Sequence, residues 1–210
     1  METAPIIRAE PEDTSLPVIG PDYSAAKEFL DIMHPDEKVC FQTVPRNGLH
    51  FRGKAFHGYL NELWDELVAW NLRGADVYCM VNQSNSRSNN AVTAITSFFV
   101  SVHGAPVDRV AALPIKPHVI VITGPSSWQA HWRIQPVPVT HSNRPQVAEL
   151  FRRVQTALAM KVGGYPNLTD LARCAHVPGF FTYKDEPYQV GLRSTSVDPF
   201  SDLLSVAPVS

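Results

Sequence analysis

A serine and a histidine stand two residues apart, Ser101 and His103, where the apolar run FFVSVHGAP (98–106) gives out. In an extended strand both project from one face, because side chains alternate with period two. Gly104 then turns the chain. Two polar groups on one face at a strand end are a common place to build a site; the plainer reading is a strand end bonded to its neighbours. Serine is neutral, and imidazole suits Zn, Mn or Fe better than Mg. Gln129 and His131 alternate in the same way in WQAHWRIQPV, so His131 either joins His103 at a transition metal or packs locally. In LTDLARC, Asp170 and Arg173 are one helical turn apart, which permits an ion pair. Asp170 reads equally as a cleft acid and as a first-turn acid favoured by a helix dipole. Cys40, Cys79 and Cys174 have no CxxC spacing and read as reduced, buried thiols rather than zinc ligands.

The elements that must position these residues can be read from pattern. Ser24 is placed to cap a short helix, AAKEFLDIMH, and KVCFQTV reads as a strand. FHGYLNELWDELVAWNL carries Phe56, Leu60, Leu63, Trp64 and Leu67 at helical spacing, ended by Gly74. ADVYCMVN, VTAITSFFVSV, HVIVIT and WQAHWRIQPV read as strands, and QSNSRSNNA as a polar loop able to lie over a groove. RPQVAELFRRVQTALAMKVGG is a long helix with a stripe of Val147, Leu150, Phe151, Val154 and Leu158, Pro145 near its start and Gly163-Gly164 at its end. NLTDLARCAH reads as a short helix and YQVGLRS as a last strand. Strands and helices mix without strict alternation, which points to an α+β fold with a mixed or antiparallel sheet flanked by helices.

The 210 residues suffice for one sizeable domain, and 44% are hydrophobic. The formal charge of −2 announces no global field for nucleic acid, so any such binding needs a local basic surface. No stretch reaches membrane-spanning length and the N-terminus is no signal peptide, so a cytoplasmic protein without a membrane partner is expected. Residues 1–22 read as a flexible lead, 23–193 as the domain and 194–210 as a tail. No GxGxxG or Walker loop is present.

Four phrases, in order, resemble the RepB-like primases of plasmids and phages, within the archaeo-eukaryotic primase-polymerase superfamily. FHGYLNELWDELVAWNLRGADVYCMVNQ resembles that family's helix-then-strand opening. FFVSVHGAP sits where the family writes Asp-x-Asp-Gly. PHVIVITGPSSWQAHWRI resembles its second motif pair, which carries a His. VGGYPNLTDLARCAHVPGFFTYKDEPYQVGL resembles its closing stretch, with Gly-Gly-Asp, Asp and Arg, Arg-x-Pro-Gly and a Lys. The resemblance spans roughly 24–193 and implies a primase-polymerase core. It also implies nucleotidyl transfer by two divalent metals, about 4 Å apart, held by paired carboxylates.

The chain departs from that pattern where the charge matters. The two aspartates fall on Ser101 and His103, the motif-two His on Gln129, the Asp of Gly-Gly-Asp on Tyr165 and an Arg on His176. Asp170, Arg173, Pro178-Gly179 and Lys184 match. The resemblance therefore implies a replication-associated domain, catalytically degenerate, that binds DNA, RNA or a replication protein. A second expectation is an active DNA primase with Ser101, His103 and Asp170 as catalytic residues and Mn or Mg on His103 and Asp170. Gln129, His131, Arg173, His176 and Lys184 would then meet nucleotide or phosphate. A third is a small-ligand or protein-binding module with no nucleic-acid role.

Overall fold

The computed structural model describes residues 20–46, 52–113 and 115–195. Most of the expected lead (1–22) and tail (194–210) lies outside them. The elements run α1 (Tyr23–Met33), β1 (Val39–Pro45), β2 (Ala55–Gly58), α2 (Leu60–Leu72), β3 (Ala75–Met80), β4 (Gln83–Ser84) and β5 (Val92–His103). They continue with β6 (Val119–Gly124), β7 (Ser127–Pro138), α3 (Arg144–Val162), β8 (Cys174–His176), β9 (Phe181–Thr182), β10 (Tyr188–Gln189) and β11 (Gly191–Ser194).

Two antiparallel sheets form the frame: β2-β1-β3-β8, and β11-β6-β7-β5-β4, with a short β10-β9 ribbon beside them. This is the expected α+β architecture. Strands β5 and β7, twelve residues each, are the spine of the larger sheet. On one face Phe98, Val100, Val102, Trp128 and Trp132 form a core cluster with Val147, Phe151, Val154, Leu158 and Val162. Those last five recur at helical spacing on α3. Burying each such side chain contributes about 1.5–3 kcal/mol, so α3 is held by its stripe rather than by propensity. A second core joins Phe29 and Met33 of α1, Leu60 and Leu67 of α2, Phe41, Val77 and Cys79 of the smaller sheet, and Val119 and Val121 of β6.

Three local expectations need correction. Asp22, not Ser24, caps α1: its Oδ1 accepts from the Ser24 and Ala25 backbone N–H groups, at 2.8 and 3.3 Å. Phe56 belongs to β2, paired opposite Phe41, and the helix begins only at Leu60. The segment 167–176 is not helical; Cys174–His176 extend along the edge of β3, opposite Met80 to Tyr78. Pairing with an open strand edge outweighs a helical pattern only about two turns long. The polar stretch after Met80 is also tied down: Arg144 donates to the carbonyls of Asn89, Asn90 and Val92 at 2.7–3.2 Å.

A register shift in β5 between Ile95 and Ser97 leaves two backbone donors without strand partners. Asn82 takes them both, accepting from Thr96 N–H at 3.0 Å and Ser97 N–H at 3.3 Å, while its own amide donates to Leu171 O. No helix among the described residues is long and apolar enough to cross a membrane.

Candidate functional site

The face of the larger sheet turned away from α3 carries Ser101 and His103 of β5. Register sets Ser101 opposite Gln129 and His103 opposite Ser127 on β7. These side chains form the floor of a cleft of about 380 Å³. The His103 ring nitrogen Nδ1 hydrogen-bonds the Ser127 hydroxyl. One wall is the β6–β7 turn, Thr123 to Ser126; the other carries His176, Thr182, Lys184, Asp185, Glu186 and Tyr188.

Local backbone explains how distant residues reach this cleft. Gly163 ends α3 in the left-handed region at φ 72°. A Cβ on Gly164 would lie 2.9 Å from the Ser101 carbonyl, so only glycine lets the chain pass this close to β5. Tyr165 then donates its backbone N–H to Ser101 O at 3.1 Å, and its ring, largely exposed, stands at the cleft. On the other side, His176 N–H donates to Gln129 Oε1 at 3.3 Å and joins the two sheets.

The second wall rests on a buried carboxylate that sequence reasoning missed. Asp76, fully buried on β3, accepts from Arg46 Nε at 2.8 Å, Tyr78 OH at 3.0 Å, Thr182 OH at 3.2 Å and the Tyr183 backbone N–H at 2.7 Å. The last two bonds fix the strand that leads into Lys184. Burial pushes the Tyr78 hydroxyl far above its usual range, with the Asp76 charge acting in the same direction. His176 packs on Tyr78, ring centroids 4.3 Å apart. Burial holds its imidazole down to about 4; Asp76 opposes this, while Arg46 and Lys184 add to it. His176 is thus neutral near pH 7.

Not every candidate residue reaches the cleft. Ser101, His103, Gln129, His176 and Lys184 line it, as does Tyr165, whereas Asp170, Arg173 and His131 do not. The Asp170 carboxylate is paired with Arg173 at 2.5 Å. His131 lies deeper between the sheets, with Phe29 and Phe99 centroids 5.5 and 5.7 Å away. Burial, reinforced by neighbouring His34, lowers its pKa to about 3, and its Nε2 is buried without a hydrogen-bond partner. His103 thus lines the cleft, whereas Asp170, paired with Arg173, is not among its lining residues. Of the residues named, Thr182, Tyr188, Asp185 and Glu186 were not singled out from sequence; their place in the closing phrase was the only available signal.

The donor set does not fit a pair of divalent cations. Two such ions repel each other unless carboxylates lie between and around them. The strand floor offers a hydroxyl, an imidazole and a carboxamide. The cleft's two carboxylates, Asp185 and Glu186, stand on the connection between β9 and β10. Among the described residues, no three His, Cys, Asp or Glu side chains gather at metal-binding spacing. What the cleft does offer is neutral hydrogen-bonding groups from Ser101, Ser126, Ser127, Thr123 and Gln129, with two tyrosines at its edge.

Residues 105–194 match the family model of the RepB DNA-primase N-terminal domain. No curated protein matches the chain in sequence. Among solved structures, the AEP domain of the cyanophage S-2L primase-polymerase is similar at TM-score 0.69 and 17% identity, over 90% of this chain and all of that one. Primase RepB′ is similar at TM-score 0.65 and 17% identity, over 88% of this chain and 61% of that one. The catalytic domain of RepB′ in complex with initiator DNA gives 0.65 and 18%, over 88% and 92%. The chain thus has the fold of these primase-polymerase domains along most of its length, and its residues 105–194 are similar to the RepB DNA-primase N-terminal domain.

Proposed function

We propose that this chain is a replication-associated, cytoplasmic nucleic-acid-binding domain that keeps the primase cleft and has given up two-metal nucleotidyl transfer. One observation carries this reading: Ser101, His103 and Gln129 share the cleft floor, and none is an anionic oxygen ligand. Without carboxylates there, nothing offsets the repulsion of paired cations or aligns a 3′-hydroxyl for attack. Neutral donors, Lys184 and two tyrosines offer contacts to a nucleotide or strand end, while Asp185 and Glu186, which line the same cleft, oppose its phosphates. Binding of DNA is further supported by similarity to a RepB′ domain in complex with initiator DNA, a property of that protein brought here as part of the proposal.

The test pairs two assays on the full chain. Primer synthesis and extension, with Mg²⁺, Mn²⁺ or Co²⁺ supplied in turn, should be silent. Fluorescence anisotropy with labelled single-stranded and duplex DNA should show binding that weakens as salt rises. Primer synthesis that survives in the wild type would overturn the degenerate reading. Absence of binding to any nucleic acid would turn the search to replication proteins or small ligands.

A further inference from the structure

Strand alternation gives the smaller sheet two faces. Phe41, Val77 and Cys79 point into the core shared with α1 and α2, so Cys40, Met80 and Cys174 point the other way. Register sets these three in one row across three strands. Met80 is opposite Cys174, and on its other side it is opposite Cys40, one step on from the Phe41–Cys79 pair. Cys40 and Met80 share one buried cluster, and half-buried Cys174 packs against it. The Cys174 Sγ lies 3.4 Å from Met80 Sδ and 3.6 Å from Gln42 Oε1. None of the three sulfur residues lines the cleft.

Both thiols of the row are free. Two strand spacings put the Cys40 and Cys174 Cα atoms roughly 10 Å apart, beyond the limit of about 7 Å for a disulfide. Position therefore keeps them from oxidising onto each other. A metal ion spans a longer gap, because two metal–sulfur bonds of about 2.3 Å replace one S–S bond of about 2 Å. Two thiols and a thioether are a soft donor set, and such sulfur ligands select Cu(I) over harder divalent ions. Zinc asks for four ligands in a tetrahedron. Among the described residues no three His, Cys, Asp or Glu side chains gather for it; the third donor here is a thioether. Charge agrees with a monovalent ion. Cu⁺ on two thiolates leaves one negative charge, and the exposed Arg87 bears electrostatically on both Cys40 and Cys174. Arg173 bears on Cys174 as well, but it is paired with Asp170.

We propose that Cys40, Met80 and Cys174 form a binding site for one Cu(I) ion, entered from the half-open side of Cys174 and covered by Arg87. Each coordinating thiol gives up its proton to solvent as the ion binds. This site stands apart from the cleft floor and does not depend on nucleic-acid binding.

The test titrates the reduced full-length chain, under nitrogen, against Cu⁺ held by the coloured chelator bicinchoninate. The wild type should withdraw one equivalent and bleach the chelator complex. Cys174→Ser and Met80→Leu should each weaken the affinity about a hundredfold, the upper end of what even the supporting residues of a metal site cost. Met80→Leu conserves volume and so keeps the fold. Cys79→Ala, on the opposite face, should bind as the wild type does. X-ray absorption at the copper edge of the wild type should show sulfur neighbours, and this measurement needs no variant. A chelator that keeps all its copper beside the wild type overturns the site. So do unchanged affinity in both Cys174→Ser and Met80→Leu, and nitrogen or oxygen neighbours in place of sulfur.

Discussion

Gln129 and His176 come from different sheets, and the bond between them, from His176 N–H to Gln129 Oε1 at 3.3 Å, crosses the base of the cleft. Gln129 thus serves as a strut between the two sheets. Gln129→Ala leaves a backbone donor unpaired in a partly buried place, and should cost about 1 kcal/mol. Calorimetry should show a small drop in melting temperature. Gln129→Glu, which keeps an acceptor oxygen, should lose less than Gln129→Ala.

Asp76 should matter more to the fold than any residue of the cleft floor. Its carboxylate has no exposure and serves four donors. Asp76→Ala strands Arg46, whose side chain remains about a third exposed and so recovers some hydration. The loss should fall near the lower end for broken buried pairs, about 3 kcal/mol. In denaturant unfolding, the Arg46→Met, Asp76→Ala pair should lose less than the sum of its single changes. Additive losses would mean that the two side chains do not act together.

Stability should fall as the solution is acidified below the ordinary histidine range. Burial holds His34 near 4 and His131 near 3, both below the usual 6.5. Between about pH 6.5 and those values the unfolded chain takes up protons that the folded one refuses. Stability from these two groups is thus complete above 6.5 and drains away towards 4. Each contributes a slope of up to about 1.4 kcal/mol per pH unit. Unfolding followed between pH 6.5 and 5, above the main carboxylate range, should show this slope, shallower in His131→Phe. A flat profile in the wild type would contradict the assignment.

Arg144 should govern the stretch between β4 and β5. Its guanidinium ties down the carbonyls of Asn89, Asn90 and Val92, and Asn89 in turn accepts from the Ala172 backbone N–H at 2.9 Å. Arg144→Ala should speed amide exchange across residues 85–91 while the melting temperature changes little. Unchanged exchange would show that the stretch is held by other contacts.

The larger sheet was legible because β5 and β7 run twelve residues each, and the side-chain alternation of an extended strand sets which residues share a face. That same alternation made Ser101, His103 and Gln129 readable as neighbours. Short elements were not legible. β8 has three residues and exists only because the edge of β3 is there to pair with, so its sequence reads as well as a helix. The Asp76 network was hidden for a different reason: its partners lie 30 and more than 100 positions away, at Arg46, Thr182 and Tyr183. No local pattern records a contact of that range.

On the function proposed above, the cleft floor should hold no divalent cation while keeping its shape. Electron paramagnetic resonance of Mn²⁺ titrated with protein measures this directly, comparing the wild type with the double change Ser101→Asp, His103→Asp. The wild type should leave Mn²⁺ free, while the variant should bind it and gain primer synthesis. Equal Mn²⁺ binding by both proteins, with activity already present in the wild type, would contradict it.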